Sequence, residues 1–168
     1  MMMLETLVSI AAIGLTAVIG LGAAYVVGLR TKSPVVIRPL VWFSRRFINP
    51  RQMRTAGRPG AYASIIRHRG RRSGRTYETP VGAVPTDDGF VIALPYGTRA
   101  QWLRNVLAAG SATLVSEGAV HEVDRPELVR LEAANAWFPV GDQRSHRWFG
   151  VEHCLRLRAV PEAGLLAP

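Results

Sequence analysis

His68-Arg69-Gly70-Arg71-Arg72-Ser73-Gly74-Arg75-Thr76-Tyr77-Glu78-Thr79-Pro80 joins two runs of strand-like residues through two glycines and a serine. Five arginines fall between Arg67 and Arg75, so positive charge is concentrated at a turn. Glycines can adopt a positive φ that brings backbone N–H groups together, and arginine side chains match phosphate or carboxylate oxygens two at a time. The stretch therefore predicts a β-hairpin whose tip binds an anion. A solvated basic tip, or a patch that touches lipid headgroups or nucleic acid, explains the same residues.

Charge is distributed unevenly along the 168 residues, whose formal net charge is +9. From Arg30 to Arg75 there are thirteen Lys or Arg residues and no Asp or Glu, whereas residues 76–168 carry eight basic and eleven acidic side chains. A local basic block is typical of contact with an anionic ligand or surface rather than of a whole fold. The length fits one domain with a core of its own.

Cysteine and histidine usage excludes several kinds of site. Cys154 is the single cysteine, so no intrachain disulfide or thiolate metal cluster can form, and we expect it to be a small core residue. The four histidines show no paired ligand spacing, so no metal site is predicted. No Gly-x-Ser-x-Gly elbow of a serine hydrolase occurs either.

Residues 1–30 are predicted to form an N-terminal transmembrane helix. Leu7–Leu29 contains 23 uncharged residues, which make roughly 34 Å of helix, enough to cross a bilayer. Basic residues follow this run and only Glu5 precedes it, so the positive-inside rule predicts a single-pass plasma-membrane protein with its catalytic domain in the cytoplasm. A cleaved signal peptide is the main alternative. A homodimer could form through the small residues that recur every four positions, which are Ala12, Thr16, Gly20, Ala24 and Gly28.

Residues 31–60 are predicted to be a basic juxtamembrane segment at the lipid interface. Between Pro34 and Ile48 apolar residues, which include Trp42, alternate with arginines. This composition suits a helix at the level of the lipid headgroups, although a first helix docked on the domain would look the same. Asn49-Pro50 is predicted to end the helix.

Residues 61–168 are predicted to form a mainly β (α+β) domain. Two short helices are expected, at 101–109 and 126–138. Six strands are expected at 61–69, 76–84, 90–94, 112–116, 120–123 and 154–160. Because most of these strands are joined as hairpins, they predict a small antiparallel barrel.

An ordered set of short motifs within residues 61–118 resembles the deazaflavin (coenzyme F420)-dependent nitroreductase family of split β-barrel oxidoreductases. The set is His68-x-Gly70-Arg71-x-Ser73-Gly74-Arg75-x-Tyr77-x-Thr79-Pro80-Val81, then Gly89-Phe90, Tyr96-Gly97 and Trp102-x-x-Asn105-Val106. The resemblance implies a six-stranded split barrel, of the kind that also binds FMN, which holds coenzyme F420 and passes its hydride to an acceptor. That coenzyme is a deazaflavin with a phosphate and an oligoglutamate tail.

The resemblance also implies which residues contact the coenzyme. The anionic tail would lie at the turn formed by Arg71, Arg72, Ser73, Gly74 and Arg75. Thr79-Pro80-Val81 and Tyr96-Gly97 would flank the ring, while Trp102 and Asn105 support the second of these loops. Clustered arginines with no acid before Glu78 suit a polyanion on physical grounds as well.

The proton donor and the acceptor are less closely defined by the sequence. A tyrosine-rich segment of the family is replaced here by residues 144–150, where His146 is the candidate proton donor, and Tyr96 is a second candidate. The coenzyme carries the hydride, so the protein needs only to stack the ring, exclude water and donate a proton. A membrane tether would favour a lipid-soluble, quinone-like acceptor, and a small nitro compound is the other acceptor class.

Two alternatives to this F420-dependent oxidoreductase remain open. One is an enzyme of the same fold that uses FMN. The other is a membrane-tethered module without activity, which stores a cofactor or grips acidic lipid or nucleic acid. The second explains the uneven charge, but it leaves the order of the motifs unexplained, and nucleic acid is therefore not the expected partner.

Overall fold

The computed structural model describes residues 2–161, with side chains for residues 15, 16 and 18–161. The helices are α1 Met2–Arg30, α2 Pro34–Phe43, α3 Asn49–Gln52, α4 Gln101–Ala109, α5 Leu131–Ala134 and α6 Val140–Trp148. A π-helical turn, Ser44–Ile48, joins α2 to α3, and a 3-10 turn, Asn135–Trp137, follows α5. The strands are β1 Ser64–Arg69, β2 Thr76–Val81, β3 Ala83–Thr86, β4 Gly89–Ala93, β5 Ser111–Ser116, β6 Ala119–Arg130 and β7 His153–Ala159.

The seven strands form one antiparallel sheet in the order β2-β1-β5-β6-β7-β4-β3. Its two edge strands, β2 and β3, are consecutive in the chain and are separated only by Gly82. Two residue steps span at most roughly 7 Å, so the end of one edge must lie beside the start of the other. The sheet is therefore curled into a half-barrel, in a mixed α/β fold.

The predicted six-stranded split β-barrel is wrong in strand number and in class. The sequence run 76–84 reads as one strand, but Gly82 divides it into two strands at opposite edges of the sheet. Glycine has no side chain to hold a strand in register, and it permits the change of direction. The Gly-Arg hairpin itself is as predicted, because β1 pairs with β2 from Ser64↔Val81 to Arg69↔Thr76.

The stretch after the β5–β6 hairpin also differs from the prediction. A helix was expected at 126–138, but β6 runs through Pro126 to Arg130, and only short helical turns follow. The β6–β7 ladder shifts register between Asp124 and Glu127, and Arg125 has φ +49°. A proline is tolerated at such an irregularity because its missing N–H removes no regular ladder bond.

The main core lies on the inner face of the curled sheet and is closed by α4. Leu103 and Val106 of α4 are fully buried against strand residues, which include Ile66, Leu114, Leu155 and Leu157. Burying one such side chain stabilises the fold by about 1.5–3 kcal/mol. A second cluster under α5 and α6 contains Val91, Leu131, Phe138 and Cys154, and it confirms the expected core position of the cysteine.

Across residues 2–161 the structure contains no helix long and apolar enough to cross a bilayer. The predicted span at Leu7–Leu29, and with it the predicted single-pass plasma-membrane location, is therefore wrong. The last turn of α1 is packed within the chain, with Leu29 buried and Gly28 against Val36. The side chains of residues 7–14 and 17 lie outside the described part.

The basic segment between α1 and the sheet is mostly helical and joins the hairpin of β5 and β6. The π-helical turn carries the helix past Asn49-Pro50, where the sequence predicted an end. Gly57 accepts the N–H of Gly118 at 2.6 Å, and the N–H of Gly60 donates to Glu117 Oε2 at 2.7 Å. These bonds hold the chain just before β1 on the turn between β5 and β6. This turn lies at the opposite end of β1 from residues 70–75, which are called the arginine turn below.

Candidate functional site

The turn between β1 and β2, residues 70–75, is closed by backbone hydrogen bonds. The N–H of Gly70 donates to the carbonyl of Arg75, and the N–H of Gly74 donates to the carbonyl of Gly70, both at 2.8 Å. Gly74 has φ +66°, which favours glycine. A Cβ on Gly70 would lie 2.6 Å from Ser73 Oγ and from the ring of Tyr77. Both glycines are therefore required by the shape of the turn.

Arg71 is held against α4 by three hydrogen bonds. Its backbone N–H and its Nη1 donate to Asn105 Oδ1 at 3.3 and 2.8 Å, and its Nη2 donates to Gln101 Oε1 at 3.0 Å. Gln101 and Asn105 are one turn apart on the helix, so they face the guanidinium together. The contact fixes the turn on the helix that closes the core, and it orients Arg71 before any ligand arrives.

The other arginines of the stretch divide into bound and free groups. Arg67 pairs with Glu78 across the hairpin at 2.6 Å, and Arg69 Nε donates to the carbonyl of Gly74 at 3.0 Å. Arg72 and Arg75 are exposed, and no hydrogen bond or ion pair joins their guanidinium groups to other described residues. Two of the five arginines are thus available to bind an anion, with Arg71 held beside them.

Ser73 and Tyr77 form a pair on the exposed side of the turn. Ser73 Oγ lies 3.1 Å from the Tyr77 hydroxyl, and the N–H of Arg75 donates to Ser73 Oγ at 3.4 Å. Tyr77 in turn stacks on His68, with ring centroids 5.9 Å apart. The serine therefore stabilises the turn as well as offering a hydroxyl to a ligand.

His68 lies under this turn, buried at the end of β1. Its Nδ1 is 3.2 Å from Asn105 Nδ2, and its Nε2 is 3.3 Å from Thr79 Oγ1. Burial lowers the pKa of His68 below its usual value. The structure thus links three of the predicted site residues, Arg71, Asn105 and Thr79, through a histidine to which the sequence assigned no role.

The residues predicted to flank the ring lie on two elements. Thr79 and Pro80 are half-buried on β2, and Val81 belongs to the main core. Tyr96 is 37% exposed in the loop between β4 and α4, where Gly97 has φ +77°. Trp102, on α4, packs against the main core.

Lys32 fixes the Tyr96 loop to the end of α6. Its Nζ donates to the carbonyls of Pro95 and Phe149, at 3.0 and 2.8 Å. Desolvation by burial lowers the pKa of this ammonium, and the charge of Glu152 opposes the shift. Sequence reasoning missed Lys32, because a lysine just after a helix is an ordinary surface residue in a linear pattern.

His146, one of the two candidate proton donors, is 9% exposed on α6. It packs edge-to-face on Phe138, with centroids 4.8 Å apart, and its Nδ1 has no hydrogen-bond partner among the described residues. Burial lowers its pKa, with an opposing effect of Asp142. The N–H of Val151 donates to the backbone carbonyl of His146, and Phe138, on which the imidazole packs, belongs to the second core cluster.

Two of the clefts formed by described residues contain no predicted cofactor residue. One, of about 650 Å³, lies at the β3–β4 hairpin and includes Asp88, His121 and Arg158. The other, of about 300 Å³, lies on α2 between Pro34 and Pro39. In residues 2–161, no group of three or more His, Cys, Asp or Glu side chains is placed to hold a metal ion. Residues 71–75 of the arginine turn are exposed.

Sequence reasoning missed Gln101 and His68 as site residues for different reasons. Gln101 lies four positions before Asn105, and this spacing is a signal of a shared helix face that could have been used. His68 lies on the inner face of β1, two residues beyond the buried Ile66, so alternation along the strand predicts its burial. Its partner across 37 positions of sequence could not be read from spacing.

No family model matches the chain, and no curated protein matches it in sequence. Thirteen chains of solved structures match it. One, named "Structure of F420-H2 Dependent Reductase (FDR-A)", has a TM-score of 0.46 and 12% identity, and the match covers 58% of this chain and 94% of that one. Another, named "F420 Reductase", has a TM-score of 0.43 and 12% identity, and covers 64% and 91%.

Both names describe F420 reductases. At this identity, and with TM-scores below 0.5, the matches assign no role to any residue of this chain.

Proposed function

We propose that this chain is an oxidoreductase that binds the deazaflavin coenzyme F420 and exchanges a hydride with a small acceptor of the quinone or nitro class. The observation that carries the proposal is the arginine turn, where Arg72 and Arg75 are exposed and unpaired in the described structure beside a pre-oriented Arg71. F420 is the coenzyme of the family that the motifs resemble, and its phosphate and carboxylates suit this donor set.

The hydrogen-bond donors of the arginine turn match the phosphate and carboxylate groups of the coenzyme's tail. Guanidinium groups bind phosphate and carboxylate oxygens through charge-assisted hydrogen bonds, and each such bond contributes about 1.5–3 kcal/mol. Holding Arg71 in advance reduces the conformational entropy lost on binding. Ser73 Oγ adds a hydroxyl donor next to Arg75. The residues at the turn therefore fit the tail of the coenzyme.

The ring would lie against β2 and the loop that carries Tyr96. When bound, the coenzyme supplies the hydride, and the chain's own residues orient the ring and supply a proton. The hydroxyl of Tyr96 is the more accessible of the two candidate donors, since its side chain is 37% exposed and that of His146 only 9%. Reduction of a quinone or nitro acceptor by two electrons consumes one hydride and one proton.

The decisive experiment is titration of the full chain with F420 and, separately, with FMN, followed by tryptophan fluorescence. The variant R72A/R75A should bind F420 at least about a hundredfold more weakly than the native chain, because two charge-assisted contacts are lost. R54A/R58A is the matched control, because it removes the same charge from two exposed arginines. These two precede β1 in the chain, whereas the arginine turn follows it. It should bind within about twofold of the native protein, since screened distant charges contribute little.

Three outcomes would contradict the proposal. Equal F420 affinity of both double variants would remove the turn from the binding site. Tighter binding of FMN than of F420 would favour the FMN enzyme. Binding of neither coenzyme, together with salt-dependent binding of DNA or of acidic vesicles, would favour a module that recognises polyanions without catalysis.

A further inference from the structure

His68 is the centre of a short chain of hydrogen bonds that leads from β2 to the arginine turn. Thr79 Oγ1 lies 3.3 Å from Nε2 of the imidazole, and Asn105 Nδ2 lies 3.2 Å from Nδ1. On its other side, Asn105 Oδ1 receives two hydrogen bonds from Arg71. His68 and Asn105 are both buried, at 5% and 6% exposure.

The partners determine the direction of every bond in this chain. A backbone N–H and a guanidinium can only donate, so the side of Asn105 that faces Arg71 must be its oxygen. The amide nitrogen then faces His68 and donates to Nδ1, which must carry no proton. The imidazole is therefore neutral, with its proton on Nε2, from which it donates to the hydroxyl of Thr79.

We propose that His68 is a positioning residue for the anion site: its neutral imidazole holds the Asn105 amide in the orientation that fixes Arg71, so that protonation of His68 loosens Arg71 and weakens binding of the coenzyme's tail. A proton on Nδ1 would point at the Asn105 amide nitrogen, which is also a donor. Turning the amide would relieve this conflict and would remove both bonds that Arg71 makes to Oδ1. The ligand named here rests on the proposed function, whereas the hydrogen-bond chain does not.

The surroundings of the imidazole set the sign of the effect. Tyr77 stacks on it from β2, Thr79 and Asn105 bond its nitrogens, and the charge of Arg71 lies beyond Asn105. No carboxylate of the described residues pairs with it, and burial alone lowers its pKa. A simple charge effect would make anion binding tighter when His68 becomes positive. The hydrogen-bond chain predicts weaker anion binding when His68 is protonated. The direction in which the Kd changes with pH therefore distinguishes the two explanations.

The experiment measures the Kd for F420 at pH 7.5 and pH 5 in the native chain and in His68→Gln. Glutamine can accept from Asn105 and donate to Thr79 without titrating, so it is expected to bind within about threefold of the native chain at pH 7.5. The native Kd should rise about fivefold or more at pH 5 relative to the change in H68Q. Titration of the coenzyme itself affects both proteins equally. Tighter native binding at pH 5, or the same profile in both proteins, would overturn the proposal.

Histidine and amide NMR on the native chain without coenzyme separates this inference from the proposed function. We expect His68 to show the Nε2–H tautomer and the backbone amide of Arg71 to shift with the same pH midpoint as the imidazole. Asn105→Asp should raise the pKa of His68, because a carboxylate favours the imidazolium. If F420 binds neither protein at any pH, the proposed function fails. The NMR signals of His68 and Arg71 still test whether the hydrogen-bond chain couples the two residues. A proton on Nδ1 at neutral pH, or an Arg71 amide that ignores His68, would overturn it.

Discussion

Lys32 and Phe149 are 117 positions apart in the chain, yet the ammonium of the first donates to the backbone carbonyl of the second at 2.8 Å. The same ammonium donates to the carbonyl of Pro95. One side chain after α1 therefore joins the loop that carries Tyr96 to the end of α6. Lys32 has φ +54°, a conformation that costs a residue other than glycine about 1–2 kcal/mol.

Replacing Lys32 tests whether these two hydrogen bonds offset the backbone strain. Lys32→Ala should lower the free energy of unfolding by about 1–2 kcal/mol, because two charge-assisted bonds are lost at a partly exposed site. Lys32→Gly loses the same bonds and relieves the strain, so it should be about 1 kcal/mol more stable than the alanine variant. Urea unfolding measures both. An alanine variant as stable as the native chain would show that the ammonium contacts contribute nothing.

Gly70 has no room for a side chain, whereas Gly141 does. Gly70→Ala should lower the free energy of unfolding by about 1–3 kcal/mol, because the new methyl group meets Ser73 Oγ and the Tyr77 ring at 2.6 Å. Gly141→Ala is the matched control, since a Cβ at Gly141 in α6 meets nothing within 4 Å. It should be neutral or stabilising by up to about 1 kcal/mol. The order of the two melting temperatures checks this, and the reverse order would contradict it.

His146 should make the fold sensitive to mild acid. Burial lowers its pKa in the folded state below the unfolded value of 6.5, so as the pH falls the unfolded chain binds the proton first. The stability that depends on a neutral His146 is fully present above the unfolded pKa. It is lost as the pH falls through the unfolded pKa towards the lower folded pKa. His146→Leu removes this titration and the unpaired Nδ1. Between pH 7.5 and 5.5 its melting temperature should fall less than that of the native chain. An equal fall of the melting temperature in both proteins would mean that His146 is not the source of the acid sensitivity. The fall that remains in the variant includes the contribution of His68, whose pKa is also lowered by burial.

Cys154 should be unreactive in the native protein. The thiol is fully buried in the cluster under α5 and α6, and burial raises its pKa to about 11. Since the thiolate is the nucleophile, iodoacetamide at pH 7.5 should label the folded chain more than about tenfold more slowly than the chain in urea. Mass spectrometry of timed samples measures the two rates. Equal rates would place the thiol at the surface.

Patterns within short stretches predicted local structure well. The positive φ of Gly74, helix α4 at Gln101–Ala109 and the β5–β6 hairpin follow from local sterics and alternation, and the structure has them where the sequence placed them. Longer patterns misled. The apolar run at 7–29 does form a helix but not a membrane span, and Pro126 does not start a helix, because it lies at an irregularity of β6.

The sequence by itself determined that arginines gather at a glycine turn between two strands, since the turn depends on residues within a few positions of one another. Only the tertiary structure decided which of those arginines are free. Arg67 finds Glu78 across the hairpin, and Arg71 finds Asn105 on a helix 34 positions away. The first pairing follows from the register of the hairpin, in which Arg67 lies opposite Glu78, and the second depends on where α4 packs. The hairpin register and the packing of α4 thus engage Arg67 and Arg71, while Arg72 and Arg75 stay exposed.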